Sequence, residues 1–335
     1  MLIDIVIFFL GFSIIFYVLF GGADFGAGVL ELISGEEDRE KIADAIGPVW
    51  EANHVWLILV VVILFMGFPK IYSTMSLYLH IPLLIMLVGI VLRGTAFTYM
   101  HYDAIKDKSN HVYNFIFKIS SVLTPLFLGV IVGAMVLGKI DPNAETFYAA
   151  FIAPWFNLFA FSVGLFCVVL FTFLAAVYLI GETKNEQQKS AFIKAAKRIN
   201  ASAVVVGALV FISAQMNDLS LLELFYESWL AIAAVVLATA ILPFLWKSLH
   251  YSQIVLSRGL AAAQVILIIL AWFWVQYPVV INVGYGTESL TFYNAVAPQA
   301  TMLQLVWALV IGSCIILPFL YFLMKTFKGK QFIDK

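Results

Sequence analysis

Apolar runs of about 20 residues recur along the chain, divided by short polar segments, and a hydrocarbon core of roughly 30 Å needs about that many helical residues to cross it. The runs cover residues 2–20, 48–66, 71–99, 115–137, 155–180, 199–215, 228–246, 258–276 and 301–324. They predict an all-α integral membrane protein with about nine transmembrane helices, which two four-helix bundles plus one peripheral helix would accommodate. The sixth run is the shortest. The first can continue past Gly21-Gly22 as far as Leu32, because only the glycines oppose helix there and no proline intervenes. Residues 1–335 then read as a single polytopic membrane domain. A long run leads into a charged segment twice, 2–20 into 36–44 and 155–180 into 182–198, so 1–137 and 150–280 are candidate pseudo-repeat halves, followed by the last helix, 301–324.

The polar segments carry an orientation. Lys and Arg concentrate in alternate loops: Arg39 and Lys41; Lys106, Lys108 and nearby Lys118; Lys184, Lys189, Lys194, Lys197 and Arg198; Lys247 and Arg258; then Lys325, Lys328, Lys330 and Lys335. The intervening loops hold Lys70 and Lys139, a division of 16 against 2, with Arg93 inside a run. Basic loops stay in the cytoplasm. The expected protein is therefore a multi-pass membrane protein with its N-terminus outside and its C-terminus cytoplasmic. Met1-Leu2-Ile3-Asp4 lacks the basic start of a secretory leader, so the first span is expected to be retained.

Composition supports lipid as the surrounding medium, since 63% of residues are hydrophobic and only 12% charged, which excludes a soluble domain. A net charge of −1 gives no reason to expect nucleic acid as a partner. Cys167 and Cys314 each fall inside an apolar run and show no metal-ligand spacing.

Ionisable groups within apolar runs are costly and mark candidate chemistry. They are Asp24 in Gly22-Ala23-Asp24-Phe25-Gly26, Glu51 and His54 beside Trp50, Asn53 and Trp56, His80, and Arg93 in Leu92-Arg93-Gly94. Pro48 suits a first helical turn, which sets Glu51 and His54 one turn apart on a common face, with His54 read as a hydrogen-bond partner of Glu51. Counted from the basic loop at about 1.5 Å per residue, Arg93 lies roughly 7–10 Å inside the membrane, and Asp24 and Glu51 approach that depth from their own spans. All three could meet. Such a cluster either neutralises buried charge or, with a partly desolvated carboxyl group, takes and releases protons. A proton-coupled secondary transporter using Asp24, Glu51 and Arg93 is a competing reading. His101, His111 and His250 fall at loops and read as solvated, and His80, inside the third run, has no second axial ligand opposite it for haem. No metal site is expected.

Three blocks taken together, Gly22-Ala23-Asp24-Phe25-Gly26, Gly47-Pro48-Val49-Trp50-Glu51-Ala52-Asn53-His54-Val55-Trp56-Leu57 and Arg93-Gly94, resemble subunit II of cytochrome bd ubiquinol or menaquinol oxidase. The resemblance covers the whole chain. It implies a bacterial respiratory complex that oxidises quinol and reduces dioxygen to water, producing proton-motive force by taking the chemical protons from the cytoplasm. It further implies that two haem b and one haem d, with the quinol-oxidising loop, belong to subunit I, while this chain packs against it and contributes part of the proton path. A small third subunit and a structural quinone occur within the same family picture. Asp24 and Glu51 match the family's two acids, with Trp50, Asn53, His54 and Arg93 in support. Better-known members carry Asp where this chain has Glu51, and a different residue at His54.

Overall fold

The computed structural model describes residues 1–34, 50–102, 109–183, 185–284 and 286–333, and their side chains except at 34, 50–52, 101–102, 109–110 and 323–333. The first apolar run is one long span. Helix α1 (Leu2–Phe16) passes through a wider π-turn (Tyr17–Gly21) into α2 (Gly22–Ser34), so helix does continue beyond the glycine pair. Next come α3 (Trp50–Gly67), α4 (Pro69–Tyr78), α5 (His80–Tyr102) and α6 (Ser109–Val136). After the short α7 (Phe147–Phe151) follow α8 (Leu158–Leu179), α9 (Glu186–Gln215), the short α10 (Leu221–Glu227), α11 (Trp229–His250) and α12 (Ile254–Gln276). A two-stranded antiparallel hairpin, β1 (Val279–Ile281) and β2 (Leu290–Thr291), precedes the last helix, α13 (Gln299–Ile333). Among the described residues, eight helices are long and apolar enough to cross a membrane alone, and the pair formed by α3 and α4 raises the number to nine.

That pair corrects the expected third span. Residues 71–99 do not form one helix: α4 turns away from α3 by 113° and ends before α5 begins. Two prolines explain the breaks. Pro69 sits in the first turn of α4, where its missing N–H costs nothing, but it cannot continue α3. Pro82 has no N–H to offer the carbonyl of Tyr78, and α5 restarts after Leu79 leaves the helical region at φ −113°, ψ 22°. Helix α4 buries Ile71 and Met75 and exposes Lys70 and Ser73, the one-sided pattern of a helix lying at an interface.

Helix α8 is the centre of the molecule, packing on α2 and α6 on one side and on α9 and α12 on the other. Its neighbours come close because glycines remove their side chains. A Cβ on Gly26 of α2 would lie 2.0 Å from the Phe171 carbonyl oxygen, and one on Gly129 of α6 would lie 2.6 Å from the Cα of Gly164. Small residues at helix crossings replace the hydrophobic force that is missing between helices in lipid. The first four spans and the next four thus meet along α8, while α13 stays outside, with Met302, Leu305 and Leu309 in the same apolar cluster as Val6 and Leu10 of α1 and Ile63 of α3. On the side opposite the lysine-rich loops, Asn282 donates its backbone N–H to the Met135 carbonyl at 2.7 Å and Val283 bridges Ile140, tying the hairpin to the segment after α6. The apolar-run pattern did not foresee this hairpin.

Candidate functional site

Arg93 is among the largest fully buried side chains, 1% exposed, and Asp24 is 3% exposed. Helix α5 brings the one and α2 the other. Arg93 grips the carboxylate with both terminal nitrogens, Nη2 to Oδ1 at 3.0 Å and Nη1 to Oδ2 at 3.1 Å. Nη2 also donates to the Asp24 carbonyl at 2.8 Å, and Nε to Ser121 Oγ of α6 at 3.2 Å. The guanidinium lies over the Phe25 and Phe117 rings, 4.7 and 5.0 Å from their centroids. A bidentate, doubly stacked pair of this kind compensates the desolvation of both charges and fixes three helices against one another.

The fit depends on Gly28, one turn below Asp24. A Cβ there would meet Ser121 Oγ at 2.2 Å, so a larger residue would displace the hydroxyl that holds Nε. Ser121 in turn donates to the Phe117 carbonyl at 2.7 Å.

A second buried pair lies further along the same helices. Glu31 of α2, 2% exposed, stands 3.4 Å from Lys118 of α6. Asp24 and Glu31 are seven residues apart, as are Asn114 and Ser121, with Lys118 between the latter two, so each set shares one helix face. The two polar faces meet where α2 packs on α6. Glu31 is not among the ionisable candidates named from the sequence, although it falls where the first run can continue as helix to Leu32. Its heptad spacing from Asp24 within an unbroken helix was the available signal.

Of the other expected site residues, Asn53 and His54 have described side chains. Asn53 donates from Nδ2 to the Phe20 carbonyl at 3.4 Å, fastening α3 to the π-turn, where one carbonyl is released from the regular helical pattern. The His54 ring meets Phe25 edge-on with centroids 6.0 Å apart, which brings it to the edge of the Arg93 cluster. Trp56 is buried and packs on Phe12 and Phe16 of α1, a packing role. Trp50 and Glu51 occupy the first turn of α3, and their side chains lie outside the described residues. The expected meeting of Glu51 with Asp24 and Arg93, and its bond to His54, fall outside them too.

His80 is not inside a span. It opens α5 at an exposed position, with Nδ1 2.8 Å from the Leu77 carbonyl, because the break at Leu79 brings it to the membrane edge. His54 lies in the second turn of α3, toward the opposite side of the membrane, His111 and His250 are exposed, and the His101 side chain is outside the described residues. Among the described residues no three His, Cys, Asp or Glu side chains gather as a metal site.

Comparison with known proteins gives a consistent picture. Residues 2–327 match the family described as cytochrome bd terminal oxidase subunit II. The chain is similar to cytochrome bd ubiquinol oxidase subunit 2 of Bacillus subtilis, 28% identical over 208 residues, covering 59% of each protein. It is also similar to cytochrome bd-I ubiquinol oxidase subunit 2 of Escherichia coli, 25% identical over 181 residues, or 52% of this chain and 48% of that one. The matched stretch thus spans about half to three-fifths of these relatives. In fold, the chain superimposes on a chain of the bd oxidase from Geobacillus thermodenitrificans with a TM-score of 0.78 at 20% identity, covering 97% of this chain and 98% of that one.

Proposed function

The chain belongs to the cytochrome bd terminal oxidase subunit II family, and on that premise we propose that it serves as the subunit without haem in a bacterial quinol oxidase, packed against a haem-bearing subunit I. The complex oxidises quinol, reduces dioxygen to water and draws the protons for that reduction from the cytoplasm, on whose side the lysine-rich loops lie. The observation that carries this reading is the family match over residues 2–327. It leaves the transporter reading of Asp24, Glu51 and Arg93 without support.

The haem groups of such a complex do not fit the histidines described here, since His54 and His80 stand at opposite ends of their spans and the other two described histidines are exposed. We assign the two haem b and one haem d of the complex to subunit I.

What this chain supplies is a polar face on α2 and α6. Protons move from the lysine-rich side past Asn114 and the Glu31–Lys118 pair toward Asp24, with Glu51 at the start of α3 as a further carrier. Asn114 Oδ1 and Thr124 Oγ1 on α6, and the Tyr17 hydroxyl at the π-turn, are buried with no hydrogen-bond partner among the described residues. Buried polar atoms of that kind are commonly satisfied by water, the medium a proton route needs. Both oxygens of Asp24 already accept from Arg93, so Asp24 can carry a proton only when that grip loosens.

The test is to isolate the complex through a tag on this chain, then record its absorption spectrum and its quinol-driven oxygen consumption. Haem b and haem d bands in a partner subunit, with turnover, are expected. A colourless homo-oligomer would overturn the proposal.

A further inference from the structure

On the lysine-rich side, away from the Arg93 cluster, a cavity of about 320 Å³ opens between the first turns of α9 and the turn that joins α11 to α12. Lys189, Lys194 and Lys197 line it from one face of α9, and His250 closes it from the end of α11. Leu249, 1% exposed, and Ile193 line its apolar part. Lys189 is offset by Glu186 at 3.5 Å, whereas no described carboxylate pairs with Lys194 or Lys197. Lys194 and Lys197 therefore line the cleft without a paired carboxylate among the described residues, and the acid that lines it, Glu186, is engaged by Lys189.

The height of the cleft decides what fills it. Helix α11 has 22 residues, a length of about 33 Å, so it just crosses the hydrocarbon core and ends at headgroup level. Trp246 and Tyr251, 42% and 63% exposed, flank that end as interfacial aromatics do. Helix α9 has 30 residues, about 45 Å, and its surplus turns stand beside the headgroups. Basic pockets between transmembrane helices at that level suit anionic headgroups.

We propose that this cleft binds a phosphate-bearing anion, presented by the headgroup of an anionic phospholipid, with Lys194 and Lys197 on the phosphate and the acyl chains descending along α9 and α11. The source of the phosphate is the membrane, because the cleft opens at the depth where lipid phosphates lie.

The experiment uses the detergent-purified complex that contains the chain, offered equal amounts of phosphatidylglycerol and phosphatidylcholine and read by native mass spectrometry. Wild type should retain phosphatidylglycerol in preference. In Lys194→Gln/Lys197→Gln that preference should fall on the order of 30-fold, from the loss of two near-surface cations. Lys247→Gln removes a nearby exposed lysine that does not line the cleft and should leave the preference unchanged. Equal retention of the two lipids by wild type would overturn the proposal, and so would an equal loss in Lys247→Gln. Displacement of the lipid by inorganic phosphate at millimolar concentration would overturn it as well, marking the occupant as soluble phosphate.

Discussion

Removing one member of the Asp24–Arg93 pair should do more damage than replacing both. Asp24→Asn leaves a cation buried between Phe25 and Phe117, and breaking such a pair costs roughly 3–5 kcal/mol. Asp24→Asn/Arg93→Gln puts two neutral amides in the same place, so more complex should assemble from the double variant than from either single one, measured by size-exclusion yield and thermal midpoint. If the double variant assembles yet turns over slowly, Asp24 carries protons; if it assembles and turns over normally, the pair only balances charge. Glu51→Gln keeps size and hydrogen bonding but removes the titratable proton. Oxygen consumption per haem d should then fall, with on the order of 10²–10⁴ at stake in the step served, and unchanged turnover in an assembled complex would reject the relay role. The depth argument from sequence allowed Asp24, Glu51 and Arg93 to meet, and the structure joins the first and the last. It could not find Ser121, Phe25 or Phe117 as the groups that make the pair tolerable, because those contacts depend on how three helices are rotated about their axes.

At the level of helices, close approach to α8 is the feature most open to test. Alanine is ordinarily better than glycine inside a helix by about 1 kcal/mol, so Gly11→Ala, whose new Cβ meets nothing within 4 Å, should be neutral or mildly stabilising. Gly26→Ala should reverse that sign, since its Cβ would fall 2.0 Å from the Phe171 carbonyl oxygen and push α2 off α8. The check is the thermal midpoint of the two purified variant complexes side by side. Most spans could be read directly, because a run of about 20 apolar residues has few stable forms in lipid other than helix. The third could not. Apolar residues continue through Ile71, Met75 and Leu79, and only Pro69 and Pro82 mark α4 as a separate helix. The sixth run was read as short because α9 begins in a polar, lysine-rich stretch, Glu186 onward, that hydropathy assigns to a loop.

Across the whole molecule, the asymmetry of basic residues fixes an expected direction. Reporter fusions within residues 181–198 should report the cytoplasm and fusions within 282–298 the other side; the reverse pattern would overturn the proposed side of proton uptake. The two lysines on the minority side act as fasteners: Lys139 donates to Asn217 Oδ1 at 2.7 Å and Lys70 to the Asn294 carbonyl at 3.5 Å. The hairpin beside Asn294 was invisible to a hydropathy reading, since strands of three and two residues leave no periodic trace. The Asp24–Arg93 pair also sets an order on biosynthesis. Its members are 69 residues apart, so at ribosomal speed Asp24 emerges roughly 3–14 s before its partner exists. For that interval the first span carries an unbalanced carboxylate, which makes its lone insertion into lipid less favourable by roughly 2.5–3.5 kcal/mol. The first span is therefore expected to settle more firmly in lipid once α5 arrives. Nascent chains arrested before Arg93 should therefore extract with carbonate more readily than chains arrested after it, and Asp24→Asn should abolish that difference.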